Sequence, residues 1–196
     1  MDQDLVDEIE FMIDLLTKSG FFSEDEILEI LEDQFIDEDI DFSQFAISSN
    51  NQDNANFTKL ENAFKSLASE NIVAVHNCGY DIKEGVSDVF ELYVHLKNNR
   101  YDPKGFCFYT FEDVEDAIFD SRLKITFGDF EDNESKALEI GKIVSDCLKQ
   151  EFDIKWNATV NEQIEITHFA WDKSFSGDVD YEIEGAYEVF TNRVEK

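Results

Sequence analysis

The sequence predicts an α+β fold, with a mixed sheet of four to five strands, helices on one face of it, and an acidic helical hairpin in front. Three observations predict it. Apolar residues recur at helical spacing through the first 41 positions, and further along the chain short apolar runs of strand length alternate with helix-period segments. Hydrophobic residues make up 42% of the 196 residues, including nineteen Phe, which is enough to form a core.

The N-terminal segment has the pattern of two amphipathic helices. The first has a stripe of apolar residues and a helix stop at Gly20. A second helix begins after Ser23, because Glu26 lies three residues later and completes a capping box. The apolar positions predicted to face inward are Leu5, Ile9, Met12, Ile13 and Leu16 in the first helix, and Ile27, Leu28, Leu31 and Phe35 in the second.

The body of the protein begins after a polar stretch at residues 48–56, whose Ser, Asn, Gln and Asp favour a loop. A third helix is predicted from Phe57 to Leu67, and a buried strand at residues 72–75. The later predicted elements are a helix through residues 86–96, a strand at 105–109, a short acidic helix at 111–119, an alternating strand at 123–127, a helix at 134–150, and extended segments near 152–156 and 163–169.

This order of elements predicts a split βαβ, ferredoxin-like sheet with two main helices on one face, if the short acidic helix is an insertion. A doubly wound parallel sheet is the alternative. The last segment fits neither the helical nor the strand period. We therefore predict three parts: residues 1–47 form the acidic hairpin, 56–173 the α+β domain, and 174–196 a C-terminal segment that packs on the domain.

Charge is the strongest compositional feature. The first 41 residues hold sixteen Asp and Glu against the single Lys18, giving −15 of the whole-chain −30. A chain of this charge repels nucleic-acid phosphates and anionic membrane surfaces, and no 18-residue apolar run is present. The start of the chain lacks the pattern of a secretory signal, and the three cysteines are not spaced as a disulfide framework, so we expect a cytoplasmic protein.

No pattern in the sequence predicts a metal or cofactor site. His76 and Cys78 follow the first body strand, but they lack the paired spacing of a zinc site, and residues 33–44 lack the ligands of an EF-hand. The phosphate-loop, dinucleotide and common hydrolase signatures are missing. The acidic run after Thr110 has a structural interpretation: Thr110 caps a helix, and Asp113 occupies its third position.

Several segments resemble an uncharacterised bacterial domain-of-unknown-function family that has a GYCFYHGQD-like segment followed by an FG turn. They are residues 76–80 (HNCGY), 105–109 (GFCFY) with Glu112-Asp113, and 125–128 (ITFG), within a region of about 71–173. Where that family has His-Gly-Gln-Asp, this chain has Thr-Phe-Glu-Asp at 110–113, so the aspartate matches and the histidine does not. The resemblance implies a domain and suggests a cluster of His76, Tyr109 and Asp113 at strand ends.

Two functions follow from these observations. The first is a protein-interaction module, inhibitory or regulatory, whose acidic helices bind a basic protein partner. The charge also has a simpler interpretation, which is solubility. The second function is a small enzyme in which His76 carries a proton while Tyr109 and Asp113 orient it or act as acids.

Overall fold

The computed structural model describes residues 2–36, 38, 40–48, 50–177, 179 and 181–193. Within these residues the fold is α+β, as predicted, with seven α-helices and one open mixed sheet of five strands. The helices are α1 (Gln3–Ser19), α2 (Glu24–Gln34), α3 (Ala55–Leu67), α4 (Ile82–Asn98), α5 (Phe111–Asp120), α6 (Glu134–Leu148) and α7 (Ile183–Arg193). The strands are β1 (Ile72–Val75), β2 (Gly105–Phe108), β3 (Arg122–Asp129), β4 (Asp153–Lys155) and β5 (Ile164–Thr167).

The chain divides into two compact units. The first comprises residues 1–55 together with 172–178, and the second comprises 56–171 together with 179–196. The predicted division into an acidic hairpin at 1–47, an α+β domain at 56–173 and a C-terminal segment at 174–196 stays a prediction. None of the helices in the described part of the chain combines the length and apolar character needed to cross a bilayer.

The first unit contains the predicted acidic helices. Helix α1 ends at Gly20, whose φ of +71° is the left-handed conformation that terminates helices. Helix α2 begins with the predicted capping box, in which Ser23 accepts the Glu26 backbone N–H and the Glu26 carboxylate accepts the Ser23 N–H. The buried apolar side chains of the pair include Ile9, Ile13, Leu16, Ile27 and Leu31, all of which were predicted to face inward.

Residues 172–178 complete the first unit, and Lys173 is the most buried of those that the structure describes. Its side chain is 1% exposed, and its ammonium donates hydrogen bonds to the backbone oxygens of Gly20, at 2.6 Å, and Ser174, at 3.3 Å. The ammonium also lies 4.7 Å from the centroid of the Phe21 ring. No pattern in the sequence marks this lysine, because buried lysines are rare and have no characteristic spacing.

The second unit is built on the sheet, whose strand order is β1-β2-β3-β5-β4. Strands β1 and β2 are parallel, and the other three neighbouring pairs are antiparallel. The sheet differs from a split βαβ unit in one respect. No strand lies between β1 and β2, so the two strands joined by α4 are direct neighbours, as in an ordinary βαβ crossover.

The helices also cover both faces of the sheet, whereas the sequence analysis placed the main helices on one face. Successive side chains of a strand point to opposite faces. A Cβ atom on Gly85 of α4 would lie 2.5 Å from the Phe108 ring, while one on Gly105 would lie 2.1 Å from Ile140 of α6. Since residues 105 and 108 point to opposite sides of β2, α4 and α6 pack on opposite faces.

The C-terminal segment, which the sequence left unassigned, contains α7. Its buried side chains, Ala186 and Phe190, belong to the core cluster that also contains Val89 and Leu92 of α4. Helix α7 has a short apolar stripe at Ile183, Ala186, Tyr187 and Phe190, but its amphipathic pattern is weak because Val189 lies outside the stripe. Its helical state depends on this packing rather than on its local sequence.

Candidate functional site

Two of the three predicted site residues meet at the ends of adjacent parallel strands. His76 directly follows β1 and Tyr109 directly follows β2, and the register that pairs Val75 with Phe108 brings the two residues side by side. The Nδ1 atom of His76 lies 2.9 Å from the hydroxyl oxygen of Tyr109, within hydrogen-bond distance. The carboxyl ends of neighbouring parallel strands therefore hold an imidazole and a phenol in direct contact.

An aromatic shell surrounds this pair. The Phe64 ring centroid lies 4.6 Å from that of His76, and the centroids of Phe57 and Tyr181 lie 5.5 Å and 5.6 Å from it. Trp171 contacts the Tyr109 ring edge-on at 6.0 Å. Tyr109 is fully buried and His76 is 8% exposed, so the hydrogen bond between them is formed in a largely apolar environment.

Burial determines the acid–base behaviour of the phenols. It raises the pKa of Tyr109 well above its usual value, and electrostatic interactions with Tyr181 and Glu61 raise it further. Burial, followed by Glu61, raises the pKa of Tyr181 to about 12. Both phenols keep their protons at neutral pH. The Tyr109 hydroxyl can donate to an unprotonated Nδ1 or accept from a protonated one, and it is poorly suited to act as an acid that gives up its proton.

Asp113 is not part of this pair. As predicted, Thr110 caps α5 and Asp113 is its third residue. The two form a capping box, in which the Asp113 carboxylate accepts hydrogen bonds from the backbone N–H and the hydroxyl of Thr110. Its other oxygen accepts a 3.4 Å hydrogen bond from the side-chain amide of Gln163, which also donates to the Thr126 hydroxyl at 3.0 Å. The structure thus brings His76 and Tyr109 together and directs the carboxylate of Asp113 to other partners.

The register of the sheet explains this separation. Thr126 lies opposite Phe108, so the two side chains share the face that α4 covers. Tyr109 is the next residue after Phe108 and points to the other face. The carboxylate of Asp113, bonded to Gln163 beside Thr126, therefore lies on the side of the sheet opposite to the His76–Tyr109 hydrogen bond.

The buried carboxylate of Asp113 leads to a prediction about pH. Burial raises its pKa above 3.8, against the opposing effect of the hydrogen bonds from Thr110 and Gln163. A raised folded-state pKa means that the group stabilises the fold below pH 3.8, and that this contribution is lost as the pH rises through the folded-state pKa. We expect Asp113→Asn to remove this loss, so that the variant gains stability relative to wild type as the pH rises from about 3.5 to 7. Urea unfolding of both proteins at several pH values measures this gain. A difference in unfolding free energy between variant and wild type that does not change with pH contradicts the prediction.

The cysteines have the features of packed thiols rather than nucleophiles. Burial raises the pKa of Cys78, whose thiol donates to the Gly85 backbone oxygen, and also that of the fully buried Cys107. Burial is also the main cause of the raised pKa of Cys147, which lies 3.1 Å from the Ser66 hydroxyl. A thiol needs a lowered pKa to act at neutral pH. Across the described part of the chain, His, Cys, Asp and Glu form no group of three or more that could hold a metal ion.

No pattern in the sequence predicts the aromatic shell around His76. The helical spacing of Phe57, Leu60, Phe64 and Leu67 predicts only an inward face for α3, and Tyr181 lies in the C-terminal segment that fits neither period. Helical spacing predicts that Phe57 and Phe64 are buried, because residues seven apart share a face. It does not say which side chain they pack against. The one signal in the sequence is that His76 directly follows the apolar run of β1.

One comparison with known proteins gives a match. A protein-family model, described as Domain of unknown function (DUF6891), matches residues 2–175. The match extends well beyond residues 71–173, where the sequence resemblance lies, and it includes helices α1 and α2, which the resemblance left outside. Searches of curated proteins and of solved structures found no match.

Proposed function

This chain belongs to the family described as Domain of unknown function (DUF6891), whose description assigns no activity, and we propose that it is a protein-interaction module that binds a basic partner through its acidic helices. One observation carries the proposal. Of the sixteen Asp and Glu in the first 41 residues, two lie outside the described residues, and every one of the other fourteen is exposed to solvent. We call this group the acidic surface.

The acidic surface has little internal compensation. Lys18 is the single basic residue of the first 41, and its ammonium lies 2.6 Å from the carboxylate of Asp14. Exposed carboxylates with few opposite charges produce a negative potential that accelerates encounter with a positively charged protein. Because the apolar residues of α1 and α2 are buried, the acids take up the outer sides of both helices. An exposed charged surface of this kind supports a regulatory or inhibitory partner role.

The proposal is tested with two full-length variants that remove the same number of charges. In the first, Glu8, Glu10, Glu29 and Glu32 of the acidic surface are replaced by Gln; in the second, Glu70, Glu134, Glu139 and Glu151 of the second unit are replaced by Gln. All eight glutamates are exposed, and none forms a salt bridge with another described residue. The probe is a 20-residue lysine-rich peptide, titrated by calorimetry at 50 and 200 mM salt.

We expect the first variant to bind the peptide about tenfold more weakly at 50 mM salt, since four exposed charges at about 0.35 kcal/mol each amount to about 1.4 kcal/mol. The second variant should bind nearly as well as wild type. The difference between the variants should shrink at 200 mM salt, where screening is stronger. Equal losses in the two variants would show that only net charge matters, and the proposal would then fail.

A small enzyme is the second candidate, and the 2.9 Å contact between His76 and Tyr109 is what favours it. General acid–base catalysis needs each participating group within hydrogen-bond reach. The carboxylate of Asp113 bonds to Thr110 and Gln163, so this candidate reduces to a two-residue pair. With Tyr109 buried and its pKa raised, the pair supports a structural hydrogen bond better than a proton-transfer site.

A further inference from the structure

A groove between α4 and α7 is a second surface with the features of a binding site. It lies in the second compact unit and has a volume of about 540 Å³. Its walls come from the C-terminal half of α4 and from the start of α7. It shares no residue with the acidic surface of α1 and α2, so it concerns a different part of the molecule.

The floor of the groove is apolar. Leu92 is fully buried at its base, while Ile183 and Tyr187 are half-buried on α7. Val94 also lies in the lining, and it is 56% exposed. His95 covers one side through a contact of 4.8 Å between its ring centroid and that of Tyr187. Water therefore contacts Val94 and parts of Ile183 and Tyr187, which an apolar side chain of a ligand could cover.

The rim of the groove is acidic. Glu91, Glu184 and Glu188 line it, all three are exposed, and no lysine or arginine is among the lining residues. None of the three carboxylates forms a salt bridge with another described residue. A ligand that complements this groove needs both apolar groups and positive charges.

The neighbouring part of α4 adds to the negative potential. Asp88 lies one turn before Glu91, and burial, followed by Glu84 and Glu91, raises its pKa. Carboxylates that crowd one another in this way are relieved by a bound cation. This supports the charge complementarity that the rim alone indicates.

We propose that the α4–α7 groove binds an amphipathic, basic helical segment of a partner protein, with leucine-like side chains on the Leu92–Tyr187 floor and lysine or arginine side chains at Glu91, Glu184 and Glu188. Helices bind in grooves through apolar residues spaced three and four apart, and this spacing suits a floor bounded by two helices. The proposal goes beyond binding at the acidic surface, because apolar contacts in the groove would fix the position of the bound helix.

The experiment uses the full-length protein and a 14-residue peptide of Leu and Lys whose leucines recur at helical spacing. The control is a scrambled peptide with the same composition and charge, in which the leucines do not share a face. Two groove variants are compared with wild type: Val94→Lys, which places a charge over the floor, and Glu91→Gln with Glu188→Gln, which weakens the rim. All three positions are exposed, so both variants should fold.

Calorimetry should show that the patterned peptide binds wild type at least tenfold more tightly than the scrambled one. Each groove variant should lose most of this difference, while the Gln variant of the acidic surface should keep it. That last comparison separates failure here from failure of the proposed function. Equal binding of the two peptides to wild type, or unchanged binding by both groove variants, overturns the proposal. A different outcome is that Val94→Lys changes the sedimentation coefficient of the protein and the two peptides bind equally. The groove would then bind a second copy of this chain, and the proposal would be overturned.

Discussion

Replacing Gly20 by alanine is expected to destabilise the protein by about 2–4 kcal/mol, the sum of left-handed strain and steric overlap. The φ of Gly20 is +71°, a conformation that side chains with a Cβ rarely adopt. The added Cβ would also lie 2.3 Å from the backbone oxygen of Lys173, which cannot rotate away as the end of a side chain could. Urea unfolding followed by circular dichroism measures the change.

The chain offers a matched control in the same compact unit. A Cβ at Gly177 would meet only the ring of Phe175, at 3.7 Å, which is an ordinary van der Waals distance. Gly177→Ala should therefore change the free energy of unfolding by less than about 1 kcal/mol. Similar effects of the two substitutions would show that the contact between Gly20 and Lys173 does not constrain the first unit.

Replacing Phe64 by alanine is expected to cost about 3–5 kcal/mol, the usual range for truncating a buried aromatic ring. Phe64 is 2% exposed, and its ring contacts both His76, at 4.6 Å between centroids, and Tyr109, at 5.9 Å. Its removal leaves a cavity beside the His76–Tyr109 hydrogen bond, and the surrounding strand ends can fill that cavity only in part. Thermal and urea unfolding both report the loss.

Phe119→Ala is the corresponding control, since Phe119 lies on α5 with 46% of its side chain exposed. We expect it to cost no more than about 1 kcal/mol. If Phe64→Ala is no more damaging than Phe119→Ala, the aromatic shell is not a tightly packed part of the core. The His76 site would then have to be regarded as an open cleft.

The elements that the sequence predicts well are those whose apolar spacing is strong. Helices α3 and α6 have a clear inward face, and the structure buries Phe57, Leu60, Phe64 and Leu67 of α3 as expected. Helix α7 has only a short and weak stripe, and its position depends on contacts with α4, which lies far from it in the chain. Local spacing cannot encode that information.

The faces of the sheet show a second limit. A period of two predicts that Phe108 and Tyr109 point to opposite sides, but it does not say which helix covers each side. This is why the sequence could place His76 and Tyr109 together, from the ends of successive strands, yet could not separate Asp113 from them. The separation depends on the Phe108–Thr126 register between β2 and β3, which has no local signal.

The way the first unit is closed has a consequence for biosynthesis. Hydrogen bonds join Ser174 to Gln52 and to Asn54, and Lys173 to Gly20, across more than 110 residues of intervening chain. A ribosome delivers the N-terminal helices first and their closing segment more than 100 residues later. The helices of residues 1–55 therefore cannot form their complete compact unit until residues 172–178 are translated, and until then the Gly20 carbonyl lacks its hydrogen bond from Lys173.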